Sequence, residues 1–321
     1  MSMLMSLSGH YWTIAPFVKH VVRRTKTPPA EPWTATVHHQ VRRETRIHGL
    51  LQRVEERTTR PHALLVAIHG LGGTNIGHNV IPATTAARDL GLACLRINLR
   101  GAGGEGDDFY HGGLWQDIAA ALASETLAEY TDIYILGYSM GGHVALCYAA
   151  EEVDPRVRAV AAICAPLDLD RSAVGIDRRS AWIYRHHVLA ALKRMVVPLV
   201  RRRELSLSLA ALMRISTLRQ WDQQVVAPRF GFESAEDYYA QASAAPRLAR
   251  LQRPALLVAS EADPMVLATA VRPALTNYSP KLDVRWTARG GHVGFPASLD
   301  LGERGPLGLE HQALAWLLRQ G

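Results

Sequence analysis

The sequence predicts an α/β protein with a doubly wound, mostly parallel sheet, and two observations carry that expectation. Short, continuously apolar runs recur along the chain, and the first of them, Ala63 to Ile68, is followed by glycines. That is the pattern of a parallel strand covered by helices on both faces. Between the runs lie stretches long enough for helices, so strand and helix alternate as this architecture requires.

In chain order, short β-like runs between Val37 and Val54 are expected to form a hairpin or edge pair before the alternation begins. Buried strands follow at Ala63 to Ile68, Ala93 to Leu99, Ile133 to Leu136, Val157 to Cys164 and Ala255 to Ala259, with a less apolar one at Leu282 to Thr287. Helices are expected over Ile81 to Leu90, Leu114 to Tyr130, Gly142 to Glu152, Val266 to Tyr278 and Leu309 to Arg319. One connection breaks the rhythm. From Leu167 to Arg253 there is no parallel strand, only helical patterns such as Val188 to Leu199 and Leu205 to Leu212. A connection of that length needs structure of its own. The chain therefore reads as one domain over 1–321, with 167–253 inserted as a helical cap above the strand ends, where such sheets bind ligands.

Composition narrows the function classes. The 321 residues are enough to bury a full core, and 48% hydrophobic with 20% charged residues is ordinary for a soluble globular protein. The net charge of +7 rests almost wholly on arginine, since lysine occurs only at 19, 26, 193 and 281. With no nucleic-acid motif and no aromatic-interleaved basic platform, that charge does not point to a nucleic-acid partner. Cys94, Cys147 and Cys164 lie in apolar runs without the short spacing of a zinc or redox pair, so buried reduced thiols and a cytoplasmic location are expected. Met1 to Leu7 lacks the basic region of a signal peptide. The stretch through Val22 is interrupted by Ser8, Gly9, His10, Pro16 and Lys19, which argues against a bilayer-spanning helix and leaves a surface-lying segment open.

The chemistry is carried by Gly137-Tyr138-Ser139-Met140-Gly141, a G-x-S-x-G match between a predicted strand and a predicted helix. That strand–turn–helix context is what a nucleophile elbow needs, and its sharp turn calls for small neighbours. It puts the Met140 N–H at a helix N-terminus, where a developing oxyanion is favoured. The second oxyanion donor is expected from the backbone of Leu71, in the loop His69-Gly70-Leu71-Gly72-Gly73 after the first buried strand. His69 precedes the nucleophile, against the chain order Ser, acid, His, and is read as a structural histidine of the loop.

Asp263 follows the strand Ala255 to Ala259 and precedes Pro264, which suits it to orient a catalytic imidazole at the edge where Ser139 lies. Glu261 and Asp168 are rivals for that role. Of the fourteen histidines, His292, in Gly290-Gly291-His292-Val293-Gly294, alone combines the right order with a loop after the last strand.

Together with these motifs, His10-Tyr11-Trp12-Thr13-Ile14, Asn98-Leu99-Arg100-Gly101, Tyr110-His111-Gly112-Gly113, Ala165-Pro166-Leu167-Asp168-Leu169, Phe230-Gly231-Phe232 and Asp237-Tyr238-Tyr239 resemble the YheT-type branch of the α/β-hydrolases. The resemblance covers most of the chain. Ala262, and the arginine-rich middle of the cap with Arg194 and Arg201-Arg202-Arg203, depart from it. It implies an α/β-hydrolase fold, a triad of Ser139, Asp263 and His292, and hydrolysis of carboxylic esters, lipid-like in some relatives.

The expected reaction is acyl transfer through Ser139, which needs no metal and no organic cofactor. The expected partner is a small-molecule ester. Thioesterase or amidase activity on the same triad, and a membrane-surface lipid-binding role with little catalysis, stand as alternatives.

Overall fold

The computed structural model describes residues 3–23, 27–37, 44–54, 58–104, 108–151 and 153–321, the side chains of 3–6 excepted. The chain opens with helix α1 (Met3–Arg23) and strands β1 (Glu31–Val37), β2 (Thr45–Gln52) and β3 (Ala63–Ile68). It continues through α2 (Val80–Asp89), β4 (Ala93–Asn98), α3 (Gln116–Leu122), β5 (Asp132–Tyr138), α4 (Met140–Ala149) and β6 (Val157–Ile163). The segment before the next strand holds α5 (Leu169–Asp177), α6 (Trp182–Arg201), α7 (Leu209–Arg214), α8 (Leu218–Trp221), α9 (Ala227–Phe230) and α10 (Ala235–Ala242). Then come β7 (Ala255–Ser260), α11 (Ala268–Val271), β8 (Leu282–Thr287) and α12 (Leu309–Leu318).

The eight strands form one sheet in the order β1-β2-β4-β3-β5-β6-β7-β8. Only β1–β2 and β2–β4 are antiparallel; the other neighbours run parallel. Every residue of β3, β4 and β7 is buried, because helices cover both faces. On one face α2 and α12 pack against Leu65, Cys94 and Leu136; on the other α3 and α4 pack against Val66, Ile68 and Ile135. At the edge, β8 is only half-buried, which explains its weaker apolar signal. Asp283 and Arg285 pair on it, and the Arg272 guanidinium lies 4.2 Å from the Trp286 ring centroid.

Four sequence expectations are corrected. The hairpin starts earlier than Val37, at Glu31; its first strand alternates with Trp33, Ala35 and Val37 inward, and Pro32 is tolerated on an edge. The helix expected over Leu114 to Tyr130 ends at Leu122, where the Ser124 hydroxyl takes the Ala121 carbonyl and a 3-10 turn follows over Glu125–Leu127. Of Val266 to Tyr278, only Ala268–Val271 is α-helical before the chain tightens into a 3-10 turn at Arg272–Leu275, since Pro273 has no N–H to continue the ladder. Residues 3–23, read as a broken stretch, form a helix with Gly9 and Pro16 inside it. Pro16 cannot bond the Trp12 carbonyl, and that carbonyl and the Pro16 ring lie against Gly294 instead. Among the described residues no helix is long and apolar enough to cross a membrane.

Candidate active site

The turn from β5 into α4 places Ser139 at φ 54° and ψ −119°, a conformation costing a non-glycine residue on the order of 1–3 kcal/mol. Its surroundings hold it there. A side chain at Gly137 would strike the Gly141 carbonyl and the Gly142 nitrogen, and one at Gly141 would strike the Ile68 and His69 carbonyls. The Ser139 N–H donates to the Ile163 carbonyl at 2.7 Å, tying the elbow to the neighbouring strand. The hydroxyl does not cap α4 and stays available.

Asp263 and His292, 124 and 153 residues further along the chain than Ser139, reach this hydroxyl from the loops after β7 and β8. His292 Nε2 lies 2.9 Å from Ser139 Oγ, and His292 Nδ1 lies 2.9 Å from Asp263 Oδ2. The other carboxylate oxygen of Asp263 accepts the N–H groups of Met265 and Val266 at 2.8 and 2.9 Å. Both side chains are buried while Ser139 is half-buried. A carboxylate held this way accepts a hydrogen bond from Nδ1–H, keeps the proton on Nδ1 and leaves Nε2 as the acceptor facing the serine.

The rivals are engaged elsewhere. Asp168 caps α5, accepting the Arg171 N–H at 2.9 Å, and Glu261 pairs with Arg272. Cys164 Sγ comes within 3.6 Å of the Gly291 carbonyl and joins Asp263 and His292 in a cluster of metal-ligand type. Burial and the Asp263 charge push its thiol well above the usual range.

The loop after β3 lies against Ser139: a Cβ on Gly70 would sit 3.0 Å from the Ser139 Cβ. Among the described residues, the N–H groups of Leu71 and Met140 have no hydrogen-bond acceptor. His69 is fully buried, with Nδ1 on the Gly70 carbonyl at 2.8 Å and Nε2 accepting the Leu99 N–H at 3.1 Å. Burial pushes its pKa down to about 4. It is a strut between two loops. Sequence reasoning did not single out two further supports. The Tyr110 hydroxyl accepts the Gly72 N–H at 2.6 Å, and Thr13, on α1, meets the backbone of His292. Both residues stood in motifs quoted above, but neither contact has a short-range signature.

Ser139 opens into a cavity of about 640 Å³. Its walls come from the loop after β3, from Ile14, Phe17 and Val18 of α1, and from the segment between β6 and β7, including Leu169, Ile176, Val188, Leu192 and Val226. The lining is mainly apolar. Asp222 stands out in it: its carboxylate accepts the Tyr239 hydroxyl at 2.6 Å, and burial pushes its pKa up to about 7. It opens the π-helical turn Asp222–Val226. His78, also on the wall, is pushed down to about 4 by burial and by the neighbouring His20, His292 and His187.

Residues 63–297 match the family described as α/β hydrolase fold, and the chain belongs to that family. Within it, the chain is a carboxylic ester hydrolase of esterase–lipase type, similar to several proteins so named. It is 29% identical to the candidate esterase YheT of Escherichia coli (strain K12) over 72% of this chain and 70% of that one. It is 24% identical to the phospholipase ABHD3 of Homo sapiens (74% and 59% covered) and 25% identical to a monoacylglycerol lipase of Saccharomyces cerevisiae (72% and 54%). The chain thus spans little more than half the length of the human and yeast relatives. Among solved structures, the esterase Est1E of Butyrivibrio proteoclasticus, with ferulic acid bound, is similar in fold at a TM-score of 0.53 and 17% identity, covering 89% of this chain and 98% of that one.

Proposed function

We propose that the protein cleaves carboxylic esters through an acyl-enzyme formed on Ser139. The observation that carries this reading is the pair of 2.9 Å contacts running from Ser139 through His292 to Asp263 beside an apolar cavity. His292 Nε2 takes the serine proton as Oγ attacks the ester carbonyl. The N–H groups of Met140 and Leu71 hold the oxyanion, and Asp263 stabilises the imidazolium. The alcohol leaves with the proton from His292, and water activated by the same nitrogen then releases the acid. No step calls on a metal or cofactor.

The substrate is a small ester with a lipid-like or short-to-medium acyl group. The apolar lining supports this, and relatives named phospholipase and monoacylglycerol lipase point the same way. Residues 167–253 act as the cap that shapes the acyl site within a single domain, since their side chains line the cavity opposite Ser139. Three free, buried cysteines fit a cytoplasmic, reducing location. Hydrolysis of a panel graded in acyl length, with thioester and amide analogues and Ser139→Ala as the blank, tests the reading. Turnover by the blank equal to wild type overturns it, and a thioester or amide preference moves the activity to that class.

The cavity mouth supports contact with a lipid surface. Ile14, Phe17, Val18, Ile76 and Ile183 line the cavity and are also exposed, continuous with exposed Val21 and Val22 on α1. Neither α1 nor α6 contains an acidic residue, while Lys19, Arg23, Arg194 and Arg201 give both helices a basic character. The protein should therefore sediment with anionic vesicles, and Val21→Glu with Val22→Glu should abolish that while hydrolysis of a soluble ester continues. Equal sedimentation of the double variant and wild type removes this surface from consideration.

A further inference from the structure

The N-terminal helix is the least expected neighbour of the triad. It touches the acid loop and the base loop at once. A side chain at Gly9 would run into the Ala262 carbonyl, next to Asp263; one at Gly291 would run into the Gly9 carbonyl and Thr13; one at Gly294 would run into the Trp12 carbonyl. Backbone meets backbone along this seam.

We propose that Thr13 is a positioning residue for His292, fixing the imidazole through the backbone of its loop; the inference rests on the reading of Ser139, Asp263 and His292 as the catalytic set. Thr13 Oγ1 accepts the His292 N–H at 2.8 Å and donates its own proton to the Gly9 carbonyl at 2.7 Å. A hydroxyl has one proton, and with that proton committed to Gly9 the oxygen is held as an acceptor toward His292.

The base loop needs such a tie. Val293 has φ 55°, a left-handed conformation unfavourable for a β-branched residue, and Gly290 has φ 151°. Within the loop, one backbone bond closes the turn, from the Gly291 N–H to the Gly294 carbonyl at 2.8 Å. Strained turns persist where the surroundings over-determine them. Without the Thr13 oxygen, the buried His292 N–H has no partner and the turn can relax, carrying the ring with it. The cap reaches the same seam, because the Tyr184 hydroxyl of α6 lies 2.6 Å from His10 Nδ1, and the two rings stack. Helix α1 is thus wedged between the cap and the loops that hold the acid and the base.

The test uses the full chain and a short, water-soluble ester. Thr13→Val keeps the shape and removes the oxygen, Thr13→Ala removes it without adding bulk, and Thr13→Ser restores it. A misplacement of about 1 Å in a catalytic group can cost on the order of 100-fold in rate. Thr13→Val and Thr13→Ala should lower kcat roughly 10- to 100-fold with KM little changed. Fluorophosphonate labelling of Ser139 should slow in proportion, and Thr13→Ser should return to near wild type. Should Thr13→Val misfold, Thr13→Ala gives the same reading. Wild-type kcat in the folded variants, or a loss that Thr13→Ser shares, overturns the proposal. Ser139→Ala separates the two failures. If it stays active, the catalytic set is wrong; if it is inactive while Thr13→Ala is fully active, only the positioning role falls.

Discussion

The carboxyl edge of the sheet and the helical cover above it meet at one cavity but differ in construction. Ser139 stands directly after β5, Asp263 three residues past β7, and His292 five past β8, so each functional group is set by a short tether to a strand. β5 and β7 are held in register by neighbours on both sides, and β8, at the sheet edge, by β7. The cover is assembled differently. Residues from α1 at one end of the chain and from α5, α6, the π-helical turn and α10 in the middle converge on the cavity, joined by side-chain contacts such as Tyr184 with His10 and Tyr239 with Asp222. On the proposed reading, the sheet edge places the reacting groups and the cover governs what reaches them. Changes at the edge should therefore alter rate, and changes in the cover should alter preference.

The comparison breaks most directly at Ser139. Ser139→Ala should lose fluorophosphonate labelling and lower kcat on the order of a million-fold, as loss of a triad nucleophile does elsewhere, while unfolding at nearly the wild-type temperature. Equal labelling of both proteins would falsify the assignment of the nucleophile.

The acid is the next largest effect. Asp263→Asn should lower kcat about 10⁴-fold, because an amide holds the imidazole in the wrong tautomer. Asp168→Asn, which weakens the α5 cap, and Glu261→Gln, which frees Arg272, should cost about tenfold or less, near 1.4 kcal/mol. If Asp168→Asn cripples the enzyme and Asp263→Asn does not, the acid belongs to β6 rather than β7.

The edge also predicts how stability responds to acid. His69 is a base whose folded pKa is lowered from 6.5 to about 4. Between those values the unfolded chain binds a proton that the folded chain does not, so stability rises with pH across the window and is lost as pH falls through it. The contribution is about 3 kcal/mol when fully expressed. NMR of the ring should find it neutral at pH 5, and the free energy of unfolding should fall between about pH 6.5 and 4. A ring that titrates near its usual value removes this term.

The smallest effect sharpens the role of the cover. Ile176→Trp, on the cavity wall in α5, should reduce the preference for a long over a short acyl chain roughly tenfold, the scale at which a pocket distinguishes a few methylene groups. Hydrolysis of an acetyl ester should change little. A uniform fall for all chain lengths would mean that this wall does not bind the acyl group.

Much of the sheet and the candidate site was legible in the sequence because it depends on local rules. Double-sided burial writes itself as continuous apolar runs, as in Ala63–Ile68, and the elbow needs its glycines within a few residues of Ser139. Asp263 and His292 could be singled out because loops after consecutive parallel strands fall on one edge. The tertiary structure alone decided what lies across from them. Helix α1 reads as interrupted because Gly9 and Pro16 are poor helix residues, yet both pack against the loops that carry Asp263 and His292. Thr13 meets His292 across 279 residues and Tyr110 meets Gly72 across 38. Contacts of that kind leave no periodic pattern, because one hydroxyl at the right distance specifies them and the sequence records the hydroxyl without the distance.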